Sequence, residues 1–260
     1  MNLNIPRIFT IARNTFREAV RDRVLYNLVL FVLMITVCAV FLGELTAGQE
    51  ARTIVNLGLT AMLIFGAFIS IFVGVSLVSK EIEKRTVYAI FSKPIGRGEF
   101  IIGKYLGLCL TLLVNILIMG VGVSLALLYV GGKGLAFSIW GAVFLIFLEL
   151  TILTAVAILF SSFSSPALSA LLAFFIFVIG HFSASLRDFA DKLGSQSAKY
   201  FFGAIYYIMP NLSFYSFTTN TAHGEFPPSS MILGAILYAV IYASVLLAIT
   251  ILIFSRRNFK

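Results

Sequence analysis

The chain has 260 residues, of which 60% are hydrophobic and only 12% charged, with a formal net charge of +8. A soluble domain carries about 25% charged residues, so this composition excludes an ordinary water-soluble fold and leaves little material for a separate soluble domain. A basic excess can point to nucleic acid, but its distribution along this chain points to a membrane and leaves nucleic acid out.

Residues 5–20 read as an amphipathic helix. Ile5, Ile8, Phe9, Ala12, Phe16, Ala19 and Val20 recur at helical spacing, and Arg7, Arg13, Asn14, Arg17 and Arg21 lie toward the other side. Pro6 suits a first helical turn. Such a helix is expected to lie in the membrane interface, either as a lipid-anchoring elbow alone or with its polar face also touching a partner. The first 23 residues are too charged for a cleavable leader, so the first span is expected to stay as an anchor.

Six runs reach or approach the ~20 residues that cross a bilayer. They are residues 24–43, 53–79, 105–130, 139–160, 167–183 and 231–254. Each is expected to be helical, because an isolated strand cannot satisfy its backbone in lipid. The fold class is therefore an all-α polytopic membrane protein with six transmembrane helices, one domain over residues 1–260 and an N-terminal interfacial helix. With six spans the termini share a side. Fourteen of the 19 Lys and Arg then fall on that side, in residues 1–23, 80–104 and 255–260. The positive-inside rule makes it cytoplasmic, and the basic excess also contacts anionic lipid.

Within the spans, polar residues are few. Gly66, Ser70 and Gly74 form a small-residue face on the second span, either for packing inside the chain or for a dimer seam. Asn115 lies near the middle of the third span. Residues 131–138 read as a turn. Glu149 is the only acidic residue at mid-span depth in the sequence. A charge there costs roughly 2.5–3.5 kcal/mol or more, so it is expected to face the bundle interior. Either it contacts substrate or a proton on a translocation path, with Asn115 as a second polar residue there, or it makes a helix-to-helix hydrogen bond to Asn115 or a threonine. His181 reads as a polar cap. Residues 161–166, SSFSSP, read as a short uncharged turn on the cytoplasmic side.

The stretch 79–104 stands apart. It carries nine charges in 26 residues, of both signs, with an apolar patch (Val87, Tyr88, Ile90, Phe91) and a Pro-Gly turn. That is the composition of a rigid docking surface between two spans. Residues 184–230 form a longer external segment, expected to hold two short helices on or in the outer leaflet, around 186–193 and 200–209. Ser229 can cap the last span.

Catalytic signatures are missing from the sequence. Gly98 to Lys104 fits GxxxxGK, but Tyr105 stands where a phosphate-binding loop needs Ser or Thr to hold magnesium. Residues 100–102 also read as the start of a helix. His181 and His223 are too few for a metal site, and Cys38 and Cys109 form no CxxC pair. The chain is not expected to be an enzyme or to hold a metal or cofactor, so energy for work must come from elsewhere.

Glu81, Glu83, Lys84 and Arg85, then Ser92, Pro94, Ile95, Arg97, Glu99 and Phe100, then Ile101, Gly103 and Lys104 resemble the permease subunits of the type-2 ABC exporter family. There a charged segment ends one span, a coupling helix follows, and a Ser-x-Pro-[Ile/Val]-x-Arg-x-Glu-Phe turn leads into the next. The outline of the whole chain is similar, as are Pro210-Asn211-Leu212 and the Arg-Arg tail. One departure is Arg85-Thr86, where many members have Gly-Thr. Within the family the sequence is most similar to the copper-enzyme-maturation subgroup, but no metal ligands support copper here.

The resemblance implies a homodimer of permeases in a bacterial or archaeal inner membrane. Each copy would be bound by a separate cytoplasmic ATPase subunit holding ATP and Mg2+. It implies a coupling helix at about 85–92 seated in a groove of that subunit, with Tyr88 and Phe91 as plugs and Glu81 and Glu83 in charged contacts near the N-terminal helix. Rival readings are an ion-coupled carrier or channel working through Glu149, and a non-transporting, ATPase-driven scaffold or mechanotransmission subunit.

Overall fold

A computed structural model describes residues 4–21, 37, 41, 49–83, 96–183, 200, 203 and 209–256. Among these the regular structure is entirely helical. α1 spans Ile5–Arg21, α2 Glu50–Glu83, α3 Arg97–Tyr129, α4 Lys133–Ser161 and α5 Pro166–His181. A 3₁₀ turn at Leu212–Tyr215 and the short α6, Thr218–Ala222, precede α7, Ser229–Arg256. Helices α2, α3, α4 and α7 are each long and apolar enough to cross a membrane, and α5 is a shorter apolar helix. The expected first span, 24–43, lies outside the described residues apart from two isolated positions, as do the helices expected near 186–193 and 200–209.

The helices outrun the expected spans. α2 continues four residues beyond 79 to Glu83, and α3 begins at Arg97 rather than at 105. α4 begins at Lys133, so the expected turn over 131–138 shrinks to Val130–Gly132. Gly131 makes this possible: its φ of +84° is in the left-handed region, and the Gly132 N–H reaches back to the Leu127 carbonyl at 2.8 Å. Lys133 thus starts a helix within four residues of Tyr129. At the other end of α4, Pro166 opens α5 as its first residue, where a missing N–H costs nothing. α7 begins at Ser229 itself. Its first turn is closed by Met231 and Ile232 N–H groups donating to the Pro228 carbonyl, so Pro228 rather than Ser229 holds the capping position.

α4 is the most enclosed of the four long helices and α7 the least. In lipid there is no hydrophobic drive between helices, so close approach through small residues decides the packing. The Gly66, Ser70 and Gly74 face of α2 meets α4. A Cβ on Gly66 would lie 2.3 Å from Leu150 Cδ1, and one on Gly74 would lie 3.0 Å from Ala157 Cβ. Ser70 Oγ donates to the Leu150 carbonyl at 3.5 Å. This face is therefore packed inside the chain rather than open as a seam.

α1 divides its apolar residues between two jobs. Ala12, Thr15 and Ala19 are buried, and α1 crosses α3 at two glycines four apart. A Cβ on Gly103 would lie 2.7 Å from Ile11 Cβ, and one on Gly107 would lie 2.6 Å from the Ala12 carbonyl oxygen. Ile5 and Phe9 instead remain 77% and 70% exposed. The single apolar face expected from the sequence is thus two adjacent faces. Exposed Arg13, Asn14 and Arg17 take the remainder.

Candidate functional site

The candidate site is the end of the bundle from which residues 84–95 leave α2 and return to α3. Those residues, including Lys84, Arg85, Tyr88, Phe91 and Pro94, lie outside the described residues. Their two anchor points do not. Glu83 is the last residue of α2, and Gly96 is the N-cap of α3.

The α3 anchor is built on Glu99. It occupies the third helical position, so its carboxylate can turn back on the start of its own helix. Oε2 accepts the Gly96 N–H at 3.0 Å and Oε1 accepts the Asn4 N–H at 2.8 Å. Arg7 Nη1 lies 4.0 Å from Oε2. The same carboxylate therefore caps α3 and fastens the start of α1. The two backbone donors, and then Arg7, hold its pKa below the ordinary 4.5 against the opposing effect of burial.

One and a half turns later Lys104 is only 5% exposed. Its Nζ lies 2.8 Å from Glu81 Oε1 on α2 and 3.5 Å from Glu18 Oε2 on α1. It also stands 5.7 Å from the centroid of the Phe100 ring. A buried ammonium needs such partners, because leaving it bare costs several kcal/mol. Lys104 thereby joins α1, α2 and α3 at one point.

Arg97 supplies the third tie. Its Nη1 donates to the Phe254 carbonyl at 3.1 Å and to the Ser255 carbonyl. These belong to the last turn of α7, whose carbonyls lack partners within the helix. Beneath it Phe100 stacks on Phe254 with centroids 6.1 Å apart, in a cluster with Val78, Ile101 and Ile158. Four membrane helices and α1 thus converge on the two ends of the 84–95 segment.

Of the residues singled out in the sequence, Glu81 and Arg97 belong to this clamp. Glu83 ends α2. Lys104 and Glu99 carry more of it than their place in the motif suggested, and Glu18 was missed. Gly103 and Gly107 were also missed as a pair. Their four-residue spacing at the start of a membrane helix is the signal that marks them.

Glu149 and Asn115 are elsewhere. Glu149, 1% exposed, is on α4, with Oε1 3.5 Å from His181 Nδ1 on α5. Asn115 is buried with no hydrogen-bond partner for either side-chain atom among the described residues. The expected bond between Asn115 and Glu149 is absent, and Thr151 and Thr154 turn back on α4 carbonyls instead. The partner came from the histidine read as a cap. Among the described residues no three His, Cys, Asp or Glu side chains cluster as a metal site.

A bundle of membrane-length helices with buried ion pairs near one end defines a polytopic membrane protein. Residues 9–259 match the ABC-2 family transporter protein family, and the chain belongs to it. It is an integral membrane protein and a membrane component of the ABC transporter class. Among curated proteins it is 28% identical over 128 residues to the "Probable ABC transporter permease protein NosY" of Pseudomonas aeruginosa, covering 48% of this chain and 46% of that protein. It is 26% identical over 139 residues to the protein of the same name from Stutzerimonas stutzeri, covering 52% of this chain and 50% of that one. The chain spans about half the length of the curated relatives it matches.

Proposed function

We propose that the chain is the transmembrane subunit of an ATP-driven exporter. It works as a homodimer in an inner membrane with both termini cytoplasmic, and it makes no ATPase site of its own. ATP and Mg2+ belong to a separate cytoplasmic ATPase subunit that docks on residues 84–95, where Arg85, Tyr88 and Phe91 are its contacts. Glu83, Lys84 and Pro94 frame that surface. The observation that carries this reading is the clamp. Both helices leaving the segment are tied within two turns to α1 and α7, through Lys104, Glu99 and Arg97.

The mechanism follows from those ties. A push on a segment joined to loose helix ends would be absorbed locally. Here it is passed to α2 through Glu81, to α1 through Glu99 and Glu18, and to α7 through Arg97. The small-residue contacts of α2 on α4 carry it further, since packed interfaces shift between discrete arrangements rather than stretching. α1, with Ile5 and Phe9 exposed toward lipid, gives the moving helices a footing in the interface.

The test is affinity purification of the tagged chain from its native membrane beside an Arg85→Glu, Phe91→Ala double variant. An ATPase subunit that co-purifies with wild type and is lost with the variant is the expected result. Absence of any ATPase under mild detergent would refute the exporter reading. A second reading, an ion-coupled carrier working through Glu149, is favoured by the burial of that carboxylate beside His181. It predicts transport driven by an ion gradient without ATP.

A further inference from the structure

α1 meets the bundle where the charges of α3 stop. Arg97, Glu99 and Lys104 fall in the first turns of α3, and from Tyr105 to Tyr129 the helix has no charged residue. α2 shows the same boundary, with no charge between Arg52 and Lys80. A charge-free helical stretch of this length belongs in the hydrocarbon, so Lys80, Glu81 and Lys104 mark its edge. α1 crosses α3 at that edge. Ile8 and Ile11 lie over Gly103, Ala12 and Thr15 lie over Gly107, and Glu18 Oε2 is 3.5 Å from Lys104 Nζ. The helix is therefore held at the level of the lipid headgroups by contacts inside the protein.

The surface that α1 turns away from the bundle changes along its length. Ile5, Phe9, Arg13 and Arg17 are spaced by four and form one ridge of the helix. All four are exposed. The first half of the ridge is apolar and the second half basic. Asn14, also exposed, stands beside Arg17 at a spacing of three.

Other cations at this end are occupied. Lys104 lies between Glu81 and Glu18, Arg97 donates to the last carbonyls of α7, and Arg7 is 4.0 Å from Glu99. The carboxylates that α1 approaches are taken up in this way. Arg13 and Arg17 make no ion pair or hydrogen bond among the described residues. Side chains at i and i+4 of a helix stand about 5–6 Å apart, and a guanidinium presents its donors as a fork that fits phosphate oxygens. Two of them one turn apart, with an amide alongside, can bracket a single phosphodiester.

We propose that Arg13, Asn14 and Arg17 form a site for the headgroup of an anionic phospholipid, with Ile5 and Phe9 set against its acyl chains. The ridge itself favours a lipid over an acidic protein surface. An acidic partner matches only the basic half and leaves Ile5 and Phe9 unmatched. A phospholipid carries the complement of both halves, phosphate and hydrocarbon, in one molecule, and α1 is clamped at the depth where the two meet. The result is a preference for anionic lipid at one place on the protein, beyond the general attraction of a basic surface. The site needs no ATPase, so it stands apart from the exporter reading.

The test measures which lipid lies against α1. The full chain is purified and reconstituted, without an ATPase, in vesicles of phosphatidylcholine and phosphatidylglycerol. Trp140 is the chain's one tryptophan. In a Trp140→Phe background, Phe9→Trp places a fluorescent reporter one turn from Arg13. Its quenching by brominated phosphatidylglycerol is compared with that by brominated phosphatidylcholine at equal mole fraction. One arginine near an anionic surface favours it about fivefold. For the pair a preference of roughly tenfold is expected at low salt, falling as salt screens it. Arg13→Gln with Arg17→Gln is expected to bring the preference close to one, and each single variant to lie between. Arg52→Gln with Lys133→Gln, two exposed cations at the other end of the bundle, should change nothing. No preference in the parent, or one that survives the Arg13, Arg17 double variant, would overturn the site. A surviving preference with loss of a co-purifying ATPase would assign the ridge to that protein instead. Both arginines are exposed, so the double variant should melt as its parent does. Should Trp140→Phe fail to fold, Phe9→Trp in the natural chain, with the quenching of Trp140 subtracted, carries the same test.

Discussion

At the basic end of the bundle Lys104 has two carboxylates, at 2.8 and 3.5 Å. Near the middle of α4, Glu149 has one imidazole nitrogen at 3.5 Å, and that nitrogen is bonded to the Phe177 carbonyl oxygen of its own helix. Both side chains are almost fully buried. The difference lies in what surrounds them. Lys104 sits where helices end, so α1 and α2 can each bring a carboxylate whose other side reaches water: Glu18 is 51% exposed and Glu81 19%. Glu149 sits in mid-helix, and His181, the last residue of α5, stands beside it. A charge at a helix terminus can be fully partnered and rigid. A carboxyl buried in mid-helix has only the side chains of its neighbours to meet it.

The comparison can be broken most sharply at Lys104. Lys104→Ala leaves Glu18 and Glu81 facing each other across a buried gap. The expected loss is about 2–3 kcal/mol, below the ~3–5 kcal/mol of a fully enclosed pair because both carboxylates keep contact with solvent. Thermal unfolding of the purified chain measures it, and limited proteolysis should show α1 cut sooner. An unchanged melting point would mean that the clamp bears no load.

Gly107→Ala tests the other half of the α1 attachment. Its Cβ would lie 2.6 Å from the Ala12 carbonyl oxygen and from Thr15 Cβ. The backbone cannot yield as a side-chain tip can, so a cost of about 1–3 kcal/mol is expected. Gly134→Ala is the control, since a Cβ there meets nothing within 4 Å; it should melt as wild type does.

Glu99 sharpens the contrast through pH. Its pKa is lowered in the fold from the ordinary 4.5, so its contribution is fully present above that value. It is lost as pH falls through the lower folded value. Stability of the wild-type chain should therefore fall below about pH 4.5 with a component that Glu99→Gln lacks. At neutral pH that variant should cost about 1 kcal/mol, as the loss of a helix cap does. Equal acid sensitivity in both proteins would remove Glu99 from the clamp.

The smallest effect is expected at Asn115. Its amide has no hydrogen-bond partner among the described residues, so Asn115→Leu removes an unsatisfied group. Stability should stay the same or rise by up to about 1 kcal/mol. If transport in reconstituted vesicles falls while stability holds, Asn115 belongs to the translocation path. A clear loss of stability would show that the amide has a partner and is structural.

Much of this was legible in the chain before folding was considered. Apolar runs of membrane length had to become helices, because lipid offers the backbone no partner. The charged stretch over 79–104 had to lie outside the membrane for the same kind of reason. The motif around Arg97, Glu99 and Lys104 led to the family without any coordinates. Composition and local chemistry decide these points, and both can be read one residue at a time.

Where contacts depend on which helix lies beside which, the sequence was silent. The Gly66, Ser70 and Gly74 stripe fits a partner copy or a neighbouring helix equally well, and only the position of Leu150 and Ala157 on α4 assigns it. Glu18 is one of several charges on α1, until α1 crosses α3 at Gly103 and Gly107 and brings it to Lys104. Asn115 is a reasonable partner for Glu149 by depth alone, yet the rotation of α3 and α4 about their axes puts the two amide atoms elsewhere. His181 of α5 stands beside Glu149 instead. Hydropathy sets depth in the membrane, whereas helix rotation and crossing set neighbours. Those follow from shape complementarity summed over many weak contacts, which no single stretch of the chain contains.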